Sequence, residues 1–133
     1  MKPRGYRNNN PGNIRKSVVK WKGEVQGTDP HFCTFSTMSW GFRALMKLLQ
    51  NYERKYGLRT IRQIISRWAP SNENNTAAYI ASVARHTGFG RDETLNLRDS
   101  RTLILLADAI AKVENGTDAS PIDIVGGFEL LNQ

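Results

Sequence analysis

The chain has a single cysteine, Cys33, in 133 residues, so no internal disulfide can staple it. A domain of this length buries enough surface to hold together without one. The favoured reading of Cys33, inside the alternating run "HFCTF", is a small semi-buried thiol. The two histidines, His31 and His86, sit in unrelated segments with no carboxylate spacing that suggests a metal. A helix-dipole contact near the end of a helix accounts for His86. No apolar run is long enough to span a membrane, and "MKPRGYRNNN" lacks the apolar middle of a signal peptide. The expectation is a protein made in the cytoplasm and moved, if at all, by other machinery. Nucleotide-binding glycine loops are missing, as are serine or cysteine triads, internal repeats and low-complexity linkers. No metal or cofactor is expected, and one domain, 1–133, is.

Acidic residues are also scarce: 12 Asp and Glu stand against 19 Lys and Arg, for a net charge of +7. The excess is uneven. Residues 1–35 carry seven basic residues against Glu24 and Asp29, while the remainder carries twelve against ten. A basic, asparagine-rich, aromatic-bearing first quarter suits an anionic polymer, either nucleic acid or a cell-wall glycan bearing acidic peptides. A solubility charge on a mobile arm is the plainer account.

Residues 17–35 hold Val, Trp and Phe in short bursts between "KGE", "QG" and "TDP", which predicts two or three short strands joined by tight turns. Asp29, before Pro30, reads as turn chemistry. From Ser36 the period changes. Phe42, Leu45, Leu49, Tyr52 and Tyr56 share one helical face that Gly57 ends, with Ser36, Thr37 or Ser39 as the cap. "RTIRQIISRWAP" predicts a second helix, capped near Thr60 and stopped before Pro70, with Ile61, Ile64, Ile65 and Trp68 on its buried side. A third helix carries Ala77, Ile80, Val83 and Ala84 and ends at Gly88. A fourth carries Leu103, Leu106, Ile110 and Val113 and stops at Gly116, before a tail read as a loop and a short apolar segment. The expected architecture is α+β and mainly helical, with a basic arm and small β-lobe over 1–35 and a helical lobe over 36–133.

Two features stand out against that plain frame. "RNNNPGN" puts four asparagines into seven residues with no hydrophobic period, which fits neither a core helix nor an ordinary strand. Glu114 closes the fourth helix at the end where the macrodipole disfavours an anion, a setting that suits a general acid. Taken alone, Glu114 reads as a solvated glutamate before an Asn-Gly cap.

"AIAKVENGTDASPIDIVGGFELLN" resembles the catalytic helix of lytic transglycosylases and goose-type lysozymes, with Glu114-Asn115-Gly116 where that family has Glu-Ser-Gly. "NNNPGNIR" resembles the Asn-Asn motif of flagellar-type N-acetylglucosaminidases of the same lysozyme-like superfamily. "KWKGE", "HFCTF" and "WGFRALMKLLQNY" follow it much as in those enzymes, and "WAPSNENNTAAYIASV" resembles their cleft-lining segment. The chain also resembles small phage-associated proteins of an "NNNPGN" type. In the superfamily the catalytic helix precedes the Asn-Asn motif, whereas here it follows, so the resemblance implies a circular permutation.

The resemblance implies a lysozyme-like fold that cleaves the glycan strand of peptidoglycan as lysozyme, glucosaminidase or lytic transglycosylase. Glu114 would be the general acid and Glu24, on the β-lobe, a second carboxylate, although most turn glutamates are merely solvated. Asn9, Asn10 and Asn13 would offer amides to sugar hydroxyls and acetamides. Glu73 either faces the cleft or belongs to a polar cluster capping the third helix, and Tyr79 is either a core residue or a cleft hydroxyl. Implied partners are peptidoglycan strands and phage virion proteins, with no membrane, and with virion association or delivery to the cell wall as the route. Two other readings compete: a non-catalytic phage structural or glycan-binding module, and a nucleic-acid-binding domain. No helix carries a dense basic stripe for the latter; Arg59, Arg62 and Arg67 have ordinary solvated-face spacing.

Overall fold

The longest apolar face in the sequence becomes the longest helix and the centre of the molecule. In the computed structural model, which describes residues 2–72 and 74–132, this is α2, Met38–Tyr56, preceded by α1 (Arg4–Arg7), β1 (Glu24–Val25) and β2 (Thr34–Phe35). After it come α3 (Ile61–Trp68), α4 (Thr76–Thr87), α5 (Ser100–Asn115) and α6 (Pro121–Leu130). The fold is α+β and mainly helical, with a small N-terminal β-lobe.

Side-chain chemistry sets the helix ends. The Thr37 hydroxyl accepts from Trp40 N at 3.2 Å, satisfying one orphan donor at the start of α2. Thr60 and Gln63 form a reciprocal capping box on α3, with Gln63 N donating to Thr60 Oγ1 at 3.1 Å and Thr60 N donating to Gln63 Oε1 at 3.3 Å. Asn75 and Asp99 cap α4 and α5 through the amides of Ala78 and Thr102. Gly57, Gly88 and Gly116 end α2, α4 and α5 in the left-handed conformation expected of helix C-caps.

Phe42, Leu45, Met46 and Leu49 of α2 are fully buried against Ile61, Ile64 and Ile65 of α3, Val83 of α4, and Leu103, Leu106 and Ile110 of α5. Tyr52 is partly buried at the edge of this core, while Tyr56 and Ala77, both expected inside, are exposed. A second apolar cluster, Ile14, Cys33, Phe35 and Ala44, joins the β-lobe to α2 and is roofed by Trp21, Trp40 and Trp68. Cys33 is fully buried there, and burial followed by the Glu24 charge pushes its thiol up to about 11.

The β-lobe is minimal. β1 and β2 pair antiparallel, with Glu24 opposite Phe35 and Val25 opposite Thr34, and one isolated bridge joins Arg15 to Phe32. Loop 8–14 adds bonds to β2, with Phe35 N donating to Asn8 O and Asn9 Nδ2 to Phe35 O.

Two helices were not foreseen. α1 is a single turn with too few residues to show a period. The segment read as loop and apolar tail holds α6, a ten-residue helix with Pro121 in its first turn. Gly126-Gly127 reads locally as a helix breaker, but it is where α6 closes on α2. A Cβ on Gly127 would lie 2.5 Å from Phe42 Cβ, 2.9 Å from Arg43 N and 3.0 Å from Ser39 O.

Replacing Gly127 by Ala should therefore destabilise the fold. Helix propensity favours Ala by about 1 kcal/mol, but two of the three obstructing atoms are backbone, and overpacking of this kind costs about 1–3 kcal/mol. Urea unfolding should show a net loss, while Gly90→Ala, where the nearest atom is Glu93 Cβ at 3.6 Å, should stay within about 0.5 kcal/mol of the parent.

Candidate active-site cleft

Loop 8–14 is where the asparagines go, and they do different jobs. Asn9 and Asn13 have positive φ, 52° and 51°, a conformation that asparagine tolerates better than most residues. Asn8 donates to Asp29 Oδ2 at 3.1 Å, and Asn9 donates to the Phe35 carbonyl at 3.0 Å. Asn10 is completely buried. Its Nδ2 donates to the carbonyls of Ile14 (3.0 Å) and Cys33 (2.9 Å), and its Oδ1 accepts from Ile14 N at 2.9 Å. With Phe35 N donating to Asn8 O and Cys33 N to Ile14 O, the loop is bonded along its length to the β2 segment. The side chains of Asn9 and Asn10, expected at a sugar, are thus spent on backbone groups.

Asn13 turns the other way. Its Nδ2 donates to Glu114 Oε1 at 3.0 Å, joining residues 101 apart in sequence. The neighbouring Asn115 donates to Pro11 O at 2.9 Å and to Ala111 O at 3.0 Å, so the last turn of α5 grips the loop at two consecutive residues. A third tie lies close by: Tyr6 of α1 donates to Thr117 O at 2.6 Å, and burial pushes its phenol up to about 12.

Glu114 Oε2 receives the remaining donors. Tyr79 OH lies 2.8 Å away and Trp68 Nε1 3.4 Å away, the latter a long and weak bond. Burial, reinforced by the Glu114 charge, pushes the Tyr79 phenol well above its ordinary range, so Tyr79 stays an O–H donor. Glu114 is half-buried, held by neutral donors from the N-terminal loop, α3 and α4, and among the described residues it has no ion-pair partner. The carboxyl is thus oriented by hydrogen bonds alone, with no fixed cation against it among the described residues.

The carboxylate opens into a cleft of about 660 Å³. Gly12 to Arg15 form one wall, Leu48, Tyr52 and Trp68 another, and Arg4, Phe32 and Asn74 complete the lining with Glu114. Tyr52 also borders an adjoining depression with Tyr56 and Arg67, whose guanidinium carbon stands 3.8 Å from the Tyr56 ring centroid. Half-buried aromatic rings beside amide and carboxyl groups suit a polyhydroxylated ligand, with ring surface for stacking and polar groups for orientation.

The other expected carboxylates are not at this acid. Glu24 lies in a separate depression with Lys16, Lys20, Val25 and Gln26. Its Oε1 accepts from Trp21 N at 3.0 Å and its Oε2 pairs with Lys20 at 3.6 Å, so this first residue of β1 braces the turn before it and does not line the cleft of Glu114. Glu73, the other candidate for the cleft, lies outside the described residues. Among the described lining residues Glu114 is the one carboxylate, and no group of three His, Cys, Asp or Glu side chains converges as a metal needs. Sequence reasoning missed Arg4, Arg15 and Phe32 as cleft residues, took Asn115 only as the residue after Glu114, and read Tyr52 and Trp68 only as core. The signals that could have found them were the Asn after Glu114 and the arginines flanking the asparagine run.

A mainly helical domain whose last long helix delivers a neutral-donor-held glutamate to an aromatic cleft is the class that fold and site define. The chain is 42% identical over 131 residues to Protein P5 of Pseudoalteromonas phage PM2, an alignment covering 95% of this chain and 80% of that protein. It belongs to the family of that phage protein. No family profile matches the chain.

Two tests separate scaffold from site. Asn10→Ala should cost on the order of 2–4 kcal/mol in urea unfolding, because it leaves Ile14 N without its acceptor in the interior. Asp29 accepts from His31 N at 2.9 Å and Phe32 N at 3.0 Å, and these bonds lower its carboxyl from 3.8 to about 2. A carboxyl depressed in the folded state adds stability above its unfolded pKa and loses it as pH falls through the folded one. The parent should therefore lose stability between about pH 4 and pH 2, and Asp29→Asn should flatten that slope in pH-dependent unfolding.

Proposed function

We propose that this phage-family protein cleaves the β-1,4 glycan strand of peptidoglycan, with Glu114 as its acid and base. The observation that carries the reading is the 3.0 Å bond from Asn13 Nδ2 to Glu114 Oε1. It joins the asparagine motif to the C-terminal glutamate, the two pieces that a permuted lysozyme-like domain needs side by side. A cleft at the same carboxyl with Tyr52 and Trp68 on its wall supports a sugar ligand.

In this mechanism the strand lies in the cleft with a glycosidic oxygen at Glu114. The carboxyl gives its proton to that oxygen as the C1–O bond breaks and the ring gains oxocarbenium character. Glu24 lies elsewhere, and Glu114 is the one carboxylate among the described lining residues. That arrangement favours an internal nucleophile, with the substrate's own N-acetyl group assisting at C1. Glu114, now a carboxylate, takes the proton from the sugar's 6-hydroxyl as O6 bonds to C1 and displaces the acetamide oxygen from it, which returns the acid and releases a 1,6-anhydro end. Tyr79 and Asn13 hold the two carboxyl oxygens throughout. A protein with this activity reaches the wall with a virion or through a lysis system.

Purified protein incubated with peptidoglycan sacculi should release fragments whose masses carry anhydro ends. Glu114→Gln should lower the release rate by about 10²- to 10⁴-fold, the usual worth of a positioned acid–base group. Unchanged release by the variant sinks the assignment of Glu114. Reducing ends would replace the internal nucleophile by water, and no release by the parent would leave a glycan-binding module.

A further inference from the structure

The cleft carries a second chemical feature that glycan cleavage by Glu114 does not use. Arg4 and Arg15, from either side of the asparagine run, stack on one ring: their guanidinium carbons stand 5.0 and 4.9 Å from the Phe32 centroid, and all three residues line the cleft. Two like charges gathered on one side chain repel unless anions answer them. Arg4 is answered by Asp29 at 3.6 Å. Arg15 is exposed and, among the described residues, has no carboxylate within ion-pair distance. Arg15 lies two residues beyond Asn13 on the same wall, so its Cα is at most about 7 Å from that of the residue bonded to the acid.

We infer that the Arg4–Phe32–Arg15 stack is a subsite for a carboxylate carried on a side branch of the glycan, the acidic peptide of peptidoglycan. The inference rests on the cleavage reading and names the part of the substrate that selects it. A guanidinium answers a carboxylate with paired N–H donors, and stacking on Phe32 holds its plane in place beforehand. Charge placement favours this anion over a nucleic-acid strand. A nucleic acid carries a charge at every nucleotide and would drag some of them past Glu114. A peptide-bearing glycan keeps neutral hydroxyl and acetamide groups along the strand and concentrates its carboxylates on the branches. Neutral groups then face Glu114 and Asn13 while the charged branch meets Arg15.

Binding is read on full-length Glu114→Gln protein, which holds glycan without turning it over. Peptide-bearing fragments prepared from sacculi and chito-oligosaccharides of equal ring number are titrated by calorimetry at low salt. The peptide-bearing fragment should bind more tightly. Adding Arg15→Gln should weaken that ligand alone by about three- to fivefold, the scale of a partly exposed ion pair, and Arg15→Lys should restore part of the loss. Equal affinity for the two glycans, or equal weakening of both by Arg15→Gln, overturns the subsite and leaves the cleavage reading standing. Failure of both glycans to bind overturns both. Binding of a single-stranded oligonucleotide with the same Arg15 dependence assigns the stack to phosphate and overturns the peptide.

Discussion

The bond between Asn13 and Glu114 is the constraint on which the site depends. It is a modest interaction in energy, a half-buried hydrogen bond to a carboxylate worth about 1.5–3 kcal/mol. Its geometric effect is larger. It fixes one carboxyl oxygen, leaves the other to Tyr79 and Trp68, and brings the asparagine loop against α5. Asn115 repeats the grip one residue later through Pro11 O, so neither the loop nor the end of α5 can shift without breaking the other's bonds. The cleft is the space left in front of this joint.

What surrounds the joint divides the asparagines by the partner each one meets. Asn10, with every side-chain bond made to main-chain atoms, takes the part that a neighbouring strand would play beside β2. Asn13, three residues on and held at φ 51°, directs its amide across to the acid. One motif thus builds both the support and the site. The charge of the first 35 residues has the same double character: Asp29 binds Arg4 to the lobe, while Arg15 is left facing the cleft.

Most helices could be read from the sequence because their ends are written in local chemistry. Thr60 with Gln63, Gly57, Gly88 and Gly116 act within a turn of their own helix. α6 could not be read, since Gly126-Gly127 breaks a helix by local rules and is repaid only by close approach to Phe42 and Arg43 far earlier in the chain. The site was half legible. Glu114 stood out as an anion at the wrong end of a helix, and Asn13 lay in a conspicuous motif. Asn9 and Asn10 were indistinguishable from Asn13 in composition, and Glu24 could not be separated from a cleft acid until its bonds to Trp21 and Lys20 were seen. Pairwise geometry between distant segments decides such cases, and no spacing within either segment encodes it.

The span of that central joint has a consequence for how the protein comes into being. During synthesis, loop 8–14 leaves the ribosome long before the end of α5, and throughout that interval Asn13 and Pro11 lack the partners that hold them. Elongation runs at about 5–20 residues per second, so the wait is on the order of seconds, far longer than local helix formation needs. The helices can form as they emerge, whereas the carboxyl and its amide meet only after the last turn of α5 has emerged. Closing so long a loop slows folding, and it makes the cleft a feature that no early segment of the chain can build alone.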